Sequence, residues 1–92
     1  MHSEENRAAA MKRLKRIEGQ VRGVIKMIEE SRDCADVLDQ SLAVRRALQS
    51  FEALLLADHS LHRMGVAART GDAEDQKKAL NEIIALAMKA RP

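Results

Sequence analysis

The sequence predicts an all-α domain of three helices, one long and central, that assembles with copies of itself. Three observations carry this. The 92 residues hold one proline, at the C-terminal Pro92, and four glycines, so little interrupts a helical run. Apolar residues make up 46% of the chain but aromatic residues only 1%, with Phe51 alone. The interior must therefore be Leu, Ile, Val, Met and Ala, which suits helix-on-helix packing. The stretch from Asp33 to Met64 has neither proline nor glycine and is apolar on more than one face. Positions 44, 48, 51 and 55 trace one helical stripe, while Leu54, Leu55 and Leu56 are consecutive. At about 100° per residue those three cover well over half of a helix circumference, so other helices must cover this one on several sides. A single domain of this size buries only a modest core alone, which favours oligomerisation.

The first helix is predicted over residues 4 to about 30, with Leu14, Ile17, Val21, Val24, Ile25 and Ile28 as its core stripe. Gly19 and Gly23 lie four apart within it and predict the close approach of another helix, at some cost in helix propensity. Lys12, Lys15, Arg16, Arg22 and Lys26 fall mostly off the apolar stripe and form a candidate basic face. Ser31-Arg32-Asp33 breaks the pattern. Asp33 is a good N-cap for the central helix, with Asp36 favourable in its first turn, and Cys34 then takes the first helical position. Gly65 reads as the stop of that helix and residues 66–71 as a connector. Asp72 caps a third helix with Leu80, Ile83, Ile84 and Ala87 buried and Lys89 and Arg91 near its end.

The central helix holds the only cysteine, Cys34, near one end and His59 and His62 near the other. The 25 steps from Cys34 to His59 span roughly 37 Å at about 1.5 Å of rise per residue. The two side chains cannot meet within one continuous helix. Two copies packed antiparallel about Ala47 bring Cys34 of one beside His59 of the other, twice per dimer. His59 and His62 share a helix face, and with one thiolate they form a candidate set for Zn²⁺, Ni²⁺, Co²⁺ or copper. His2 adds a further nitrogen from an N-terminal arm. Arg63, next to His62, is a cation that discourages a metal beside it.

Other functions are disfavoured. The chain shows no catalytic triad, glycine-rich phosphate loop or paired inward carboxylates, and a cysteine with a histidine but no third orienting residue does not make a hydrolase. No run approaches the ~20 apolar residues of a membrane span. The polar start Met1-His2-Ser3-Glu4-Glu5 is no signal peptide, and a lone cysteine suits a reducing compartment, so the expected location is cytoplasmic. The net charge is +2, but residues 1–27 carry seven Lys/Arg against three Glu, whereas residues 28–60 carry three Arg against seven acids. The basic first third is a candidate footprint for nucleic acid. Without aromatics for base stacking, duplex DNA held through its phosphates fits better than a single strand. A helical oligomerisation module with no DNA role is the alternative of a different class.

The block Arg13-Leu14-Lys15-Arg16-Ile17-Glu18-Gly19-Gln20-Val21-Arg22-Gly23 carries a more specific signal. With Cys34, Val37-Leu38, Gln40, Ala43-Val44, Leu48 and Asp58-His59, it closely resembles the CsoR/RcnR family from about residue 11 to the end. The resemblance implies a three-helix subunit in an antiparallel dimer, with dimers pairing into a tetramer. It implies a repressor without a helix-turn-helix that binds operator DNA through basic surfaces of its first two helices. An effector bound between subunits at the Cys and His then weakens that binding. Arg13 matches a DNA-contact position of the copper-sensing branch, and Lys15, Arg16, Arg22, Arg45 and Arg46 are further candidates. Glu82 matches a carboxylate that supports the ligand histidine, here His59.

The branches differ in their ligands. Copper sensors carry a second Cys four residues after the His, and that position is Arg63 here, so copper(I) lacks its second thiolate. The persulfide-sensing branch uses two cysteines. The nickel/cobalt branch has an N-terminal His, the Cys, the first His and a further His at the position of Arg63, for which the adjacent His62 can substitute. The implied effector is then a divalent ion such as Ni, Co or Zn, one per subunit, at Cys34, His59, His62 and His2. The formaldehyde-sensing branch retains the Cys and His, needs no metal, and captures its effector with the thiol and an N-terminal amine. That amine would be Met1, which a residue as large as His2 retains.

Overall fold

The computed structural model describes residues 1–91 and contains three helices: α1 (Glu4–Glu29), α2 (Cys34–Thr70) and α3 (Ala73–Lys89). α1 and α3 each pack on α2 and not on each other. The molecule measures 59 × 26 × 12 Å with a radius of gyration of 17.9 Å, well above the roughly 12 Å of a compact chain this long. Its thin dimension equals about one helix diameter. The subunit is therefore a single layer of helices, with two broad faces that nothing among the described residues covers. No helix among the described residues is long and apolar enough to cross a membrane.

That layering decides what is buried. In α1 the predicted core stripe buries only Ile17, while Leu14, Val21, Ile25 and Ile28 are 36–63% exposed. In α3 the buried residue is Ala79, and Leu80 and Ile84 lie about half exposed. The apolar stripes form as the sequence predicts, but one chain has no second layer to lay against them. Leaving large aliphatic side chains in water forgoes about 25 cal/mol per Å² of apolar area, a strong bias toward association. Gly19 and Gly23 likewise meet no approaching helix among the described residues, since nothing beyond their own stretch of α1 lies within 4 Å of a Cβ placed at either.

The termini are built by local chemistry. Ser3 caps α1, its Oγ accepting from the Asn6 N–H at 3.0 Å. Glu4 and Glu5 sit in the first turn and Lys26 in the last, each complementing the helix dipole. α1 ends with the Ser31 N–H donating to the Ile28 carbonyl and the Arg32 N–H to the Met27 carbonyl. This is the paired closure that needs a left-handed residue, and Ser31 takes that conformation at φ 54°. α2 starts at Cys34 behind Asp33, as predicted, although the Asp33 side chain makes no capping bond.

The predicted stop at Gly65 is corrected. α2 continues through it to Thr70, and Gly71 adopts the left-handed conformation at φ 66°. A glycine ends a helix only where the next element must turn away, and here packing against α3 holds α2 helical for one and a half turns more. Ala67, inside the predicted connector, is fully buried. Asp72 then caps α3 by accepting from the Glu74 N–H at 3.1 Å.

Candidate functional site

One unbroken α2 carries Cys34 at its first residue and His59 far along it, so the roughly 37 Å separation from helical rise holds in the folded chain. Cys34 is exposed and unpaired. No three His, Cys, Asp or Glu side chains among the described residues of one chain are grouped to hold a metal. A donor set containing both Cys34 and His59 therefore fits a metal only when two copies contribute.

The structure sends the two α2 histidines to different neighbours. His59 is half-buried in a groove of about 320 Å³ with Leu55 and Leu56 of its own helix and Leu86 and Lys89 of α3. His62 faces the N-terminal arm, where the His2 ring stacks on it with centroids 3.6 Å apart and planes inclined by 1°. The arm is pinned by Asp58, one turn before His62. Asp58 Oδ2 accepts from the His2 backbone N–H at 3.0 Å and Oδ1 from Asn6 Nδ2 at 2.9 Å. The Asn6 amide, followed by the His2 N–H, holds the Asp58 carboxyl below its ordinary range against the opposing effect of burial. Imidazole lone pairs lie in the ring plane, so two parallel stacked rings cannot aim at one ion. One ring must swing out before His2 and His62 could share a metal.

Arg63, the departure from the copper pattern, ties α2 to α3. Its Nη2 lies 2.9 Å from Asp75 Oδ1 and its Nε donates to Glu82 Oε2 at 2.9 Å. The Arg63 side chain is 18% exposed, so this pair is shielded from solvent more than a surface pair. The guanidinium lowers the Asp75 carboxyl below its usual range, and the two carboxylates hold the Arg63 proton more firmly. Glu82, expected as a support for His59, is here engaged by Arg63.

The candidate DNA residues also separate. Arg13, Arg16 and Arg46 line one cleft of about 330 Å³ between α1 and α2. Arg13 Nη1 donates across it to Ser50 Oγ. No carboxylate pairs with any of these three among the described residues, whereas Arg22 is held by Glu18 at 2.9 Å. Lys15 and Arg45 are exposed and do not line the cleft.

Asp58, Asn6, Asp75, Ser50 and Gln20 are the residues a reading of the sequence passes over as site components. Only Asp58 leaves a usable trace, since it lies four residues before His62 and hence on the same helix face. The others take their roles from contacts between helices that no local pattern reports.

Residues 6–89 match the family model of metal-sensitive transcriptional repressors. The chain is 44% identical over 72 residues to the copper-sensing transcriptional repressor CsoR of Bacillus subtilis, covering 78% of this chain and 68% of that protein. Among solved structures it is similar to the nickel-responsive transcriptional regulator InrS, with a TM-score of 0.81 and 36% identity over 99% of both chains. It is equally similar to the copper-sensing repressor CsoR with Cu(I) from Geobacillus thermodenitrificans, with a TM-score of 0.81 and 39% identity over 97% of this chain and 90% of that one.

Proposed function

The chain belongs to the metal-sensitive transcriptional repressors, and on that premise we propose that it binds duplex operator DNA and releases it when a divalent ion binds between subunits. The ion class is Ni²⁺, Co²⁺ or Zn²⁺. Cys34 of one copy and His59 of another form its core, with His62 and His2 completing the set. One observation carries this reading: Cys34 and His59 sit on one continuous helix too far apart to meet, in a subunit that leaves many large aliphatic side chains exposed. An antiparallel second copy answers both facts.

The ion class follows from the donors. One thiolate with imidazoles is a borderline set that suits these ions, whereas copper(I) favours a second soft donor. At the position where that thiolate would stand, Arg63 is already committed to Asp75 and Glu82. Cys34 and the imidazoles would hold a divalent ion, which would supply a positive centre between the two copies. The chain's own residues transmit the change. For His62 to turn toward a ligand it must leave its stack on His2, which loosens the arm that Asp58 and Asn6 hold. That arm leads directly into α1, the helix carrying Arg13 and Arg16, so occupancy at His62 is felt on the basic face.

A second reading is favoured by the exposure of Cys34: capture of formaldehyde by the thiol together with an amine. Both readings are tested by fluorescence anisotropy of the reduced protein on its own upstream DNA, titrated separately with Ni²⁺, Co²⁺, Zn²⁺, Cu⁺ and formaldehyde. Release by a divalent ion, lost in Cys34→Ala and His59→Ala, is expected. Release by formaldehyde alone would replace the metal reading with the thiol one. Absence of DNA binding would leave a helical scaffold.

A further inference from the structure

We propose that the cleft between α1 and α2 is a seat for a small phosphate, either hydrogenphosphate or the terminal phosphate of a polyphosphate or nucleotide. This gives the chain a second, anionic effector site remote from Cys34 and His59. It rests on the DNA-binding reading only for its consequence, competition with DNA, and not for the binding itself.

The charge pattern is the first support. Four of the ten arginines are answered by carboxylates: Arg7 by Glu4, Arg22 by Glu18, Arg32 by Asp36, and Arg63 by Asp75 and Glu82. Arg13, Arg16 and Arg46 converge on one cleft from two helices and have no such partner among the described residues. Three like charges around one concavity repel each other unless an anion sits among them, and guanidinium forks match phosphate oxygens. Arg13 already reaches across the cleft, donating to Ser50 Oγ. The cleft volume of about 330 Å³ admits a phosphate and a short extension of it.

Gln20 supplies the second support and sets the ligand class. It lines the same cleft, and its Oε1 is buried without a hydrogen-bond partner. A buried acceptor left unpaired is costly, so its natural complement is a ligand that also donates. A DNA phosphodiester has only acceptors. Hydrogenphosphate, or a protonated terminal phosphate, offers oxyanion acceptors to the arginines and one P–OH to Gln20 Oε1. Sulfate has the same shape and charge at neutral pH but no proton to give.

The test is isothermal titration of the full-length protein, without DNA, with inorganic phosphate, pyrophosphate, ATP, dimethyl phosphate and sulfate at matched ionic strength. Saturable binding of phosphate or pyrophosphate about tenfold or more tighter than sulfate is expected, the ratio that one unpaired buried acceptor commands. Comparing phosphate with ATP identifies the source, and dimethyl phosphate reports how well a DNA-like diester fits. Arg46→Gln should abolish the binding, and Gln20→Leu should bring phosphate and sulfate to equal affinity. Equal weak binding of phosphate and sulfate by the unmodified protein, or none, overturns the proposal whether or not the variants fold. A protein that holds DNA but does not select phosphate refutes this site alone; one that selects phosphate but holds no DNA refutes the repressor reading alone.

Discussion

Neutralising Arg13, Arg16 and Arg46 together should flatten the salt dependence of DNA binding, while removing the Arg22–Glu18 pair should not. The difference follows from which guanidiniums are already compensated. Each unpaired cation that meets a DNA phosphate contributes about 0.9 to the slope of log affinity against log salt. Three such cations in each DNA-contacting subunit then account for roughly 2.7 of that slope. Between roughly 50 and 200 mM salt the unmodified protein should lose about 40-fold more affinity per contacting subunit than the Arg13→Gln/Arg16→Gln/Arg46→Gln variant. Arg22 lies 2.9 Å from Glu18, so Glu18→Gln/Arg22→Gln changes no net charge and should leave the slope nearly unchanged. Anisotropy of a labelled duplex across the salt series reads both. A triple variant that keeps the full slope, or a double variant that loses as much, would refute the division of the basic surface drawn from the ion pairs.

Three further outcomes follow from other parts of the molecule. Ser31 sits in the left-handed region at φ 54°, where an L-residue is strained by roughly 1–2 kcal/mol and glycine is not. Ser31→Gly should therefore stabilise the fold by about 1 kcal/mol after the greater chain entropy of glycine is offset, measured by urea unfolding at fixed protein concentration. The Asp75 carboxyl is depressed in the folded state by Arg63, so its contribution is present above the ordinary Asp range near 3.8 and is lost as pH falls below it. Thermal scans in acid should show a steep loss of stability below about pH 4 that Asp75→Asn flattens. Asp58→Asn gives the His2 N–H an amide in place of a carboxylate. Hydrogen exchange at residues 2–7 should accelerate while α3 is unaffected; unchanged exchange would mean that the arm is held by the histidine stack alone.

The helices were legible because the 3.6-residue period of Leu, Ile and Val survives whether or not a partner covers it. The start of α2 at Cys34 and the Asp72 cap of α3 were legible for the same local reason. The end of α2 was not. Gly65 resembles a stop, but α2 runs on through it with Ala67 fully buried, and the turn waits for Gly71. The exposure of Leu14, Val21, Ile25 and Ile28 is a property of a one-layer subunit, and a pattern of apolar residues does not say which chain buries them. At the candidate site, Cys34, His59 and His62 stand out as rare residue types. Their neighbours do not: Asp58 reaches His2 and Asn6 across more than 50 residues of sequence, and Arg63 finds its carboxylates on another helix.

The central claim is that the effector site exists only between two copies, and subunit mixing tests it most directly. Cys34→Ala and His59→Ala chains, differently tagged and co-expressed, should each form assemblies that stay on DNA when Ni²⁺, Co²⁺ or Zn²⁺ is added. The purified mixed dimer regains one complete site, with Cys34 from one chain and His59 from the other, and should release DNA on metal addition. A mixed dimer that responds no better than either parent would place the site within a single chain and contradict the account.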